Sequence, residues 1–304
     1  MTAFALSGTT AGKISGQLTH LRHQMGAPAI GMVLTLVVVT DERDQYDALR
    51  AATEAAREHP SRILAVINRE ADEASRLDAE IRIGESTPGE VVILRLYGEL
   101  TAHADSVVSP LLLPDTPVVV WWPGAAPAVP AQDPIGELAQ RRITNAKAAA
   151  PDGIKALAHF GKVYAPGDTD LAWTRLTPWR SLLAAAFDQH VGKVKKGFVE
   201  AASGNASAPL LAAWLSERLG APIKVAESSG PGLTAVRLAL ADGELSVVRN
   251  DARLATLARP GQPDRHVALA RRQTSELLAE ELRRLDYDEI YESAVKRLAR
   301  SHKV

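Results

Sequence analysis

Cysteine does not occur in the 304 residues, which removes disulfides, thiolate nucleophiles, thiol redox switching and cysteine-ligated zinc or iron–sulfur clusters. An excess of one charge is missing too: 35 Lys and Arg stand against 36 Asp and Glu, so no long-range field draws in a polyanion. Nucleic acid is therefore not expected as a partner. Long apolar runs are lacking, since the longest is broken by threonines well short of the ~18 residues a membrane span needs. The start, MTAFALSGTTAGKISGQ, has no basic segment leading into an apolar one, and the expected location is the cytoplasm.

Recognisable catalytic and cofactor motifs are also scarce. AGKIS at Ala11–Ser15 has Ser7 where a phosphate loop needs its first glycine and Ile14 where it needs a hydroxyl. Neither GxSxG nor HExxH occurs, and the eight histidines form no set with carboxylates. His20 and His23 share a helix face as a solvated pair. No metal, cofactor or catalytic residue is expected.

What is present is the composition of a globular α/β protein, with 46% hydrophobic and 23% charged residues and a length that suggests two domains. Residues 1 to about 12 read as loosely ordered. Ile14, Leu18, Leu21 and Met25 then form one apolar stripe of a helix. MVLTLVVV at Met32–Val39 reads as a strand covered on both faces, 44–57 as an amphipathic helix, and Arg62–Ile67 as the next strand. This βαβ unit makes the two strands parallel. Its first turn holds Thr40, Asp41, Glu42 and Arg43 instead of GxGxxG, so a dinucleotide site is not expected there. Asp41 and Asn68 would still flank a crevice at the strands' carboxyl ends, with Asp41 read first as a turn residue.

Strands follow at Glu80–Gly84, Val91–Tyr97 and Val118–Trp122, with a turn at Pro88 and Gly89 and a helix over 101–109. Asp133 followed by Pro134 reads as the start of a helix running through Arg141 and Arg142. A domain boundary is placed near Gly167, giving an N-terminal domain over 1–166 with a mostly parallel sheet flanked by helices. The C-terminal domain, 167–304, is α+β: helices at 177–187 and near Pro209, antiparallel strands from Ile223 to Ala258 with a hairpin at Asp242–Gly243, and two terminal helices.

Two segments invite a functional reading. In VWWPG, Trp121 and Trp122 point to opposite faces of a strand, and one of them, if exposed, would anchor an interface. GDTDLAWTRLTPWR, Gly167–Arg180, packs Asp170, Trp173, Arg175, Trp179 and Arg180 into one stretch at the expected domain junction. Trp173 and Trp179 could pack a seam there while Asp170 pairs with Arg175 or Arg180. Alternatively these arginines, like Arg141 and Arg142, could hold a phosphate or a partner's carboxylate through bidentate hydrogen bonds.

Three long segments carry a resemblance: RLYGELTAHADSVVSPLLLPDTPVVVWWPG, DPIGELAQRRITNA and GDTDLAWTRLTPWRSLLAAAFDQ, supported upstream by MVLTLVVVTD and EAAREHPSRILAVI. In this order they resemble the OpcA family, the glucose-6-phosphate dehydrogenase assembly proteins, in its actinobacterial form. The resemblance implies a protein that binds glucose-6-phosphate dehydrogenase, promotes its assembly or activates it, and supports the oxidative pentose phosphate pathway. The family's cyanobacterial members are associated with thioredoxin control through cysteines, which a cysteine-free chain does not share. The other reading is a sugar-phosphate- or nucleotide-binding α/β protein, a degenerate enzyme using the crevice near Asp41 or the arginines at 141, 142, 175 and 180.

Overall fold

The computed structural model describes residues 2–25, 31–69, 74–83, 89–149, 152–188, 192–249, 251 and 253–302. The chain divides into two compact units. The first comprises 1–145, 167–169 and 274–287, and the second 146–166, 170–273 and 288–304. One of the points where the chain passes between them is at 167–170, and further passages occur at 145–146, 273–274 and 287–288.

The first unit begins with β1 (Thr2–Leu6), α1 (Ala11–Met25), β2 (Leu34–Thr40), α2 (Gln45–Ala55), β3 (Ser61–Asn68), β4 (Arg76–Ile83) and β5 (Gly89–Tyr97). It continues with α3 (Ala104–Val108), β6 (Val118–Trp121), β7 (Arg141–Thr144) and β8 (Asp168–Asp170). The eight strands lie in the order β1-β4-β5-β3-β2-β6-β7-β8. β5, β3, β2, β6 and β7 pair in parallel; β4 runs antiparallel to β5, and β1 pairs antiparallel with β4 in turn. The apolar run of β2 is central because a strand covered on both faces has no position for alternating polar residues. Ile14, Leu18 and Leu21 of α1 are buried with Val37, Leu64 and Val92 in one core, as their spacing predicts.

Two local expectations fail here. Residues 2–6, expected to be loose, form β1, paired from Thr2↔Ile83 to Leu6↔Ala79. Phe4 and Leu6 are half-buried while Ala3 and Ala5 face solvent, a period of two too short to stand out in the sequence. The helix expected from Asp133 through Arg142 lasts one 3-10 turn, Gly136–Leu138, and the chain then becomes β7. Asp133 does cap that turn, accepting from the Ile135 and Gly136 amides at 3.0 Å. Its continuation yields to pairing of β7 with β6, which places Ile143 and Thr144 in a buried strand. The turn at Pro88 lies outside the described residues.

The second unit holds α4 (Ala146–Ala149), α5 (Gly153–Lys162), α6 (Leu171–Thr174), α7 (Thr177–Phe187), β9 (Lys196–Ala201) and α8 (Ser207–Leu219). Strands β10 (Ile223–Glu227), β11 (Leu233–Ala239), β12 (Glu244–Arg249), β13 (Leu254–Arg259) and β14 (Gln262–Ala268) follow. They form a sheet in the order β10-β9-β11-β12-β13-β14, antiparallel as expected except that β10 runs parallel to β9. The β11–β12 hairpin turns at Asp242–Gly243, with Ala239 opposite Glu244. Of the two terminal helices, α9 (Thr274–Arg283) belongs to the first unit and α10 (Glu289–Ser301) to the second. Among the described residues no helix is long and apolar enough to cross a membrane, and no group of His, Asp or Glu could hold a metal ion.

Candidate functional site

In the first unit, β5-β3-β2-β6-β7-β8 is the order in which two three-strand halves grow outward from a central pair, the arrangement of dinucleotide-binding sheets. The crevice of such a sheet lies where the order reverses, at the carboxyl ends of β2 and β6. Asp41 follows β2 directly and Asn68 closes β3, so both sit at that end, exposed. The βα turn there, however, is built of acids. Asp41 Oδ1 accepts the Asp44 amide at 2.9 Å, the Gln45 side chain donates to the Glu42 carbonyl at 2.9 Å, and Glu42 pairs with Arg69. Asp44 Oδ2 lies 3.3 Å from where a Cβ on Gly124, in the loop after β6, would stand. A pyrophosphate at this point would meet carboxylates instead of glycine amides.

Trp121 and Trp122 are both buried, at 1% and 2% exposure, so neither is an exposed anchor. β6 is an interior strand whose two faces are each covered, and opposite-facing side chains on it are buried on both sides. Arg141 and Arg142 are likewise turned inward. The Arg141 guanidinium donates through Nε and Nη2 to Glu281 of α9 and through Nη1 to the Asp286 carbonyl at 2.8 Å. Arg142 donates to Asp168 at 2.5 Å and to the Ala139 carbonyl at 2.9 Å. Both spend their donors inside the fold.

Asp170, fully buried, caps α6 by accepting the Ala172 amide at 2.7 Å and also takes the Ala146 amide at 2.8 Å. Trp173 donates its indole N–H to Asp288 at 2.7 Å, and the Arg180 guanidinium lies 3.6 Å from the centre of its ring. Trp173 and Trp179 are part of the second unit's core with Leu176, Leu183 and Leu210. Burial lowers the pKa of Arg175, and the charge of Asp170 partly offsets that.

Arg175 and Trp179 do meet a cavity. It measures about 370 Å³ and opens between the 202–207 loop that joins β9 to α8, the start of β11 and the segment 270–272. Lys147, Arg175, Arg249, Arg271 and Arg272 line it, and among the described residues no Asp or Glu does. The loop, Ala202-Ser-Gly-Asn-Ala-Ser207, turns through Gly204 at φ +71, and Asn205 Oδ1 accepts the Ser207 and Ala208 amides at 3.0 and 3.2 Å. The N-terminal end of α8 thus faces the cavity with its first amides already taken, and only its dipole adds to the positive potential. Arg249 lies 5.0 Å over the Trp179 ring, and its Nε is buried without a hydrogen-bond partner. Its pKa is lowered by burial first and by the charge of Arg271 second. Of the residues singled out from the sequence, only Arg175 and Trp179 belong to this cavity. Lys147, Arg249, Arg271 and Arg272 were not, although small residues between a strand and a helix in ASGNAS and the Arg271–Arg272 doublet are visible signals.

Comparison with protein families settles what the chain is related to. The model of the OpcA glucose-6-phosphate dehydrogenase subunit N-terminal domain matches residues 52–162, and that of the C-terminal domain matches 166–295. The chain belongs to the OpcA family. Within solved structures, this OpcA chain is similar to a 3-ketoreductase from Actinomadura kijaniata in complex with NADP and TDP-benzene, at 10% identity and a TM-score of 0.50, over 88% of this chain and 95% of that one. It is also similar to an oxidoreductase from Sinorhizobium meliloti, at 12% identity and a TM-score of 0.48, over 87% and 86% of the two chains. At 10% identity the likeness to the ketoreductase is one of fold alone. The search of curated proteins gives no match.

Proposed function

We propose that this OpcA chain acts as a non-catalytic factor that docks on glucose-6-phosphate dehydrogenase, promotes its assembly or activates it, and works in the cytoplasm in support of the oxidative pentose phosphate pathway. The family match over both halves carries this reading. Supporting it, the first unit has the strand order of a dinucleotide-binding sheet but fills the phosphate position with Asp41, Glu42 and Asp44. A fold inherited without its cofactor cradle suits a subunit that acts through surface contact.

For such a factor to shift the dehydrogenase between weak and competent forms, it must bind one form more tightly, and a tenfold shift needs ~1.4 kcal/mol of differential binding. The experiment mixes the purified chain with its cognate dehydrogenase at micromolar concentration. It reads the oligomer distribution by sedimentation and the apparent affinity for glucose 6-phosphate by initial rates. The expected result is a change in one or both, with no turnover by the chain alone. Unchanged sedimentation together with unchanged kinetics would sink the reading, as would turnover by the isolated chain that a point substitution in a cleft abolishes.

A further inference from the structure

We propose that the cavity between the 202–207 loop, β11 and residues 270–272 is a binding site for a phosphorylated small molecule, held by Arg249, Arg271, Arg175, Arg272 and Lys147. This inference concerns the chain alone and does not rest on its relation to the dehydrogenase.

The first support is the distribution of charge. The whole chain is balanced at a formal charge of -1, yet among the described residues five cations and no acid line one concavity. Concentrating like charges raises the energy of the apo protein, and an anion removes that cost. Asp170 offsets part of the charge at Arg175, whereas the charged neighbour that acts on Arg249 is another cation, Arg271.

The second support is the state of Arg249. It stands at the end of β12, where Arg271 is its charged neighbour, 5.0 Å from the centre of the Trp179 ring and with a buried Nε without a partner. A guanidinium near an aromatic face, already drawn out of bulk water, loses less on accepting an oxyanion than a freely solvated one would. Four of the five cations are arginines, whose forked donors match the oxygens of a phosphate better than an ammonium does.

The third is size and wall chemistry. A volume of about 370 Å³ is within the range of small-molecule sites, ~300–1,000 Å³, and is more than a lone carboxylate side chain of a partner would fill. Trp179, Leu233 and Ala270 offer apolar wall for an organic body, while the Asn205 amide nitrogen can donate to a ligand hydroxyl and the Ser203 hydroxyl, which donates to Glu227 at 2.7 Å, can still accept from one. A phosphate ester, with about two negative charges, answers the charge of the cluster while its carbon skeleton occupies the remaining space.

Isothermal titration of the full chain tests this with inorganic pyrophosphate, a hexose monophosphate and a nucleoside diphosphate, against the unphosphorylated hexose and nucleoside. At least one phosphorylated compound is expected to bind at about one per chain, and neither unphosphorylated control should. The three ligands separate the sources: pyrophosphate alone points to a free anion, and tighter binding of one organic phosphate identifies the body the apolar wall accepts. Arg249→Gln should weaken binding by roughly tenfold or more. Arg271→Gln, at an exposed side chain that donates to the Pro231 carbonyl, should weaken it in the same direction with the thermal midpoint little changed. Arg57→Gln, exposed on the first unit, should leave it unchanged. No binding by any of the three, undiminished binding by both cavity variants, or equal weakening by Arg57→Gln would each overturn the proposal.

Discussion

Replacing Glu281 by alanine strips the Arg141 guanidinium of the carboxylate that receives its Nε and Nη2 protons, leaving it the Asp286 carbonyl alone. Both side chains are 5% exposed, so water cannot take the carboxylate's place without opening the packing of α9 against the rest of the first unit. A buried charge that loses its partner costs about 3–5 kcal/mol. At a urea slope of ~2.5 kcal/mol per M this lowers the unfolding midpoint by about 1–2 M. The pair as a whole is worth far less than its breakage, because each ion was desolvated to make it. Arg141→Met with Glu281→Leu should therefore recover most of the loss. Urea unfolding followed by far-ultraviolet circular dichroism on the parent, Glu281→Ala and the double variant measures all three. A midpoint for Glu281→Ala within ~0.3 M of the parent would refute the reasoning, since that is below 1 kcal/mol at this slope. On the proposed function, the double variant should dock on the dehydrogenase no less well than the parent, because Arg141 spends its donors internally.

Asp288 caps α10 through the Ile290 and Tyr291 amides, both at 2.9 Å, and receives the Trp173 indole, so Asp288→Ala should cost about 2 kcal/mol in the same assay. Gly167 sits at φ +96 with the Gln140 carbonyl where a Cβ would stand, so Gly167→Ala should lower the thermal midpoint by an amount corresponding to ~2 kcal/mol or more. The Asp152 carboxylate is held below its ordinary value of 3.8 chiefly by the Lys155 amide, and that of Asp251 chiefly by the Arg253 amide. Their lowered folded values mean that the stabilisation is fully present above the unfolded pKa and is lost as pH falls through the folded one. Replacing both by asparagine should make the acid limb of the stability curve, below pH ~4, less steep.

The extent to which the sequence revealed the fold followed the range of the forces involved. Apolar runs and stripes announced β2, β3, α1 and α10 because burial on one face or two is written in consecutive residues. The failures share a cause. Asp133-Pro134 carries an authentic cap signal, but what the chain does eight residues later depends on the edge of β6, which local patterning does not contain. Adjacent tryptophans must face opposite ways, yet whether both faces are covered depends on which distant segments pack on the two sides of the sheet. The cationic cavity was mostly illegible for the same reason: its arginines and lysine come from α4, the end of α6, β12 and the segment before α9, with no common motif.

By itself the sequence determined the class of the protein, the positions of its main helices and interior strands, the absence of thiol chemistry and, through three long segments, its family. Only the tertiary structure decided what each arginine does. Arg141 and Glu281 are neutralised by each other across 140 positions of chain, whereas Arg249 has another cation, Arg271, as its charged neighbour. A side chain's charge is local, but the partner that compensates it, or fails to, is chosen by the packing of distant segments.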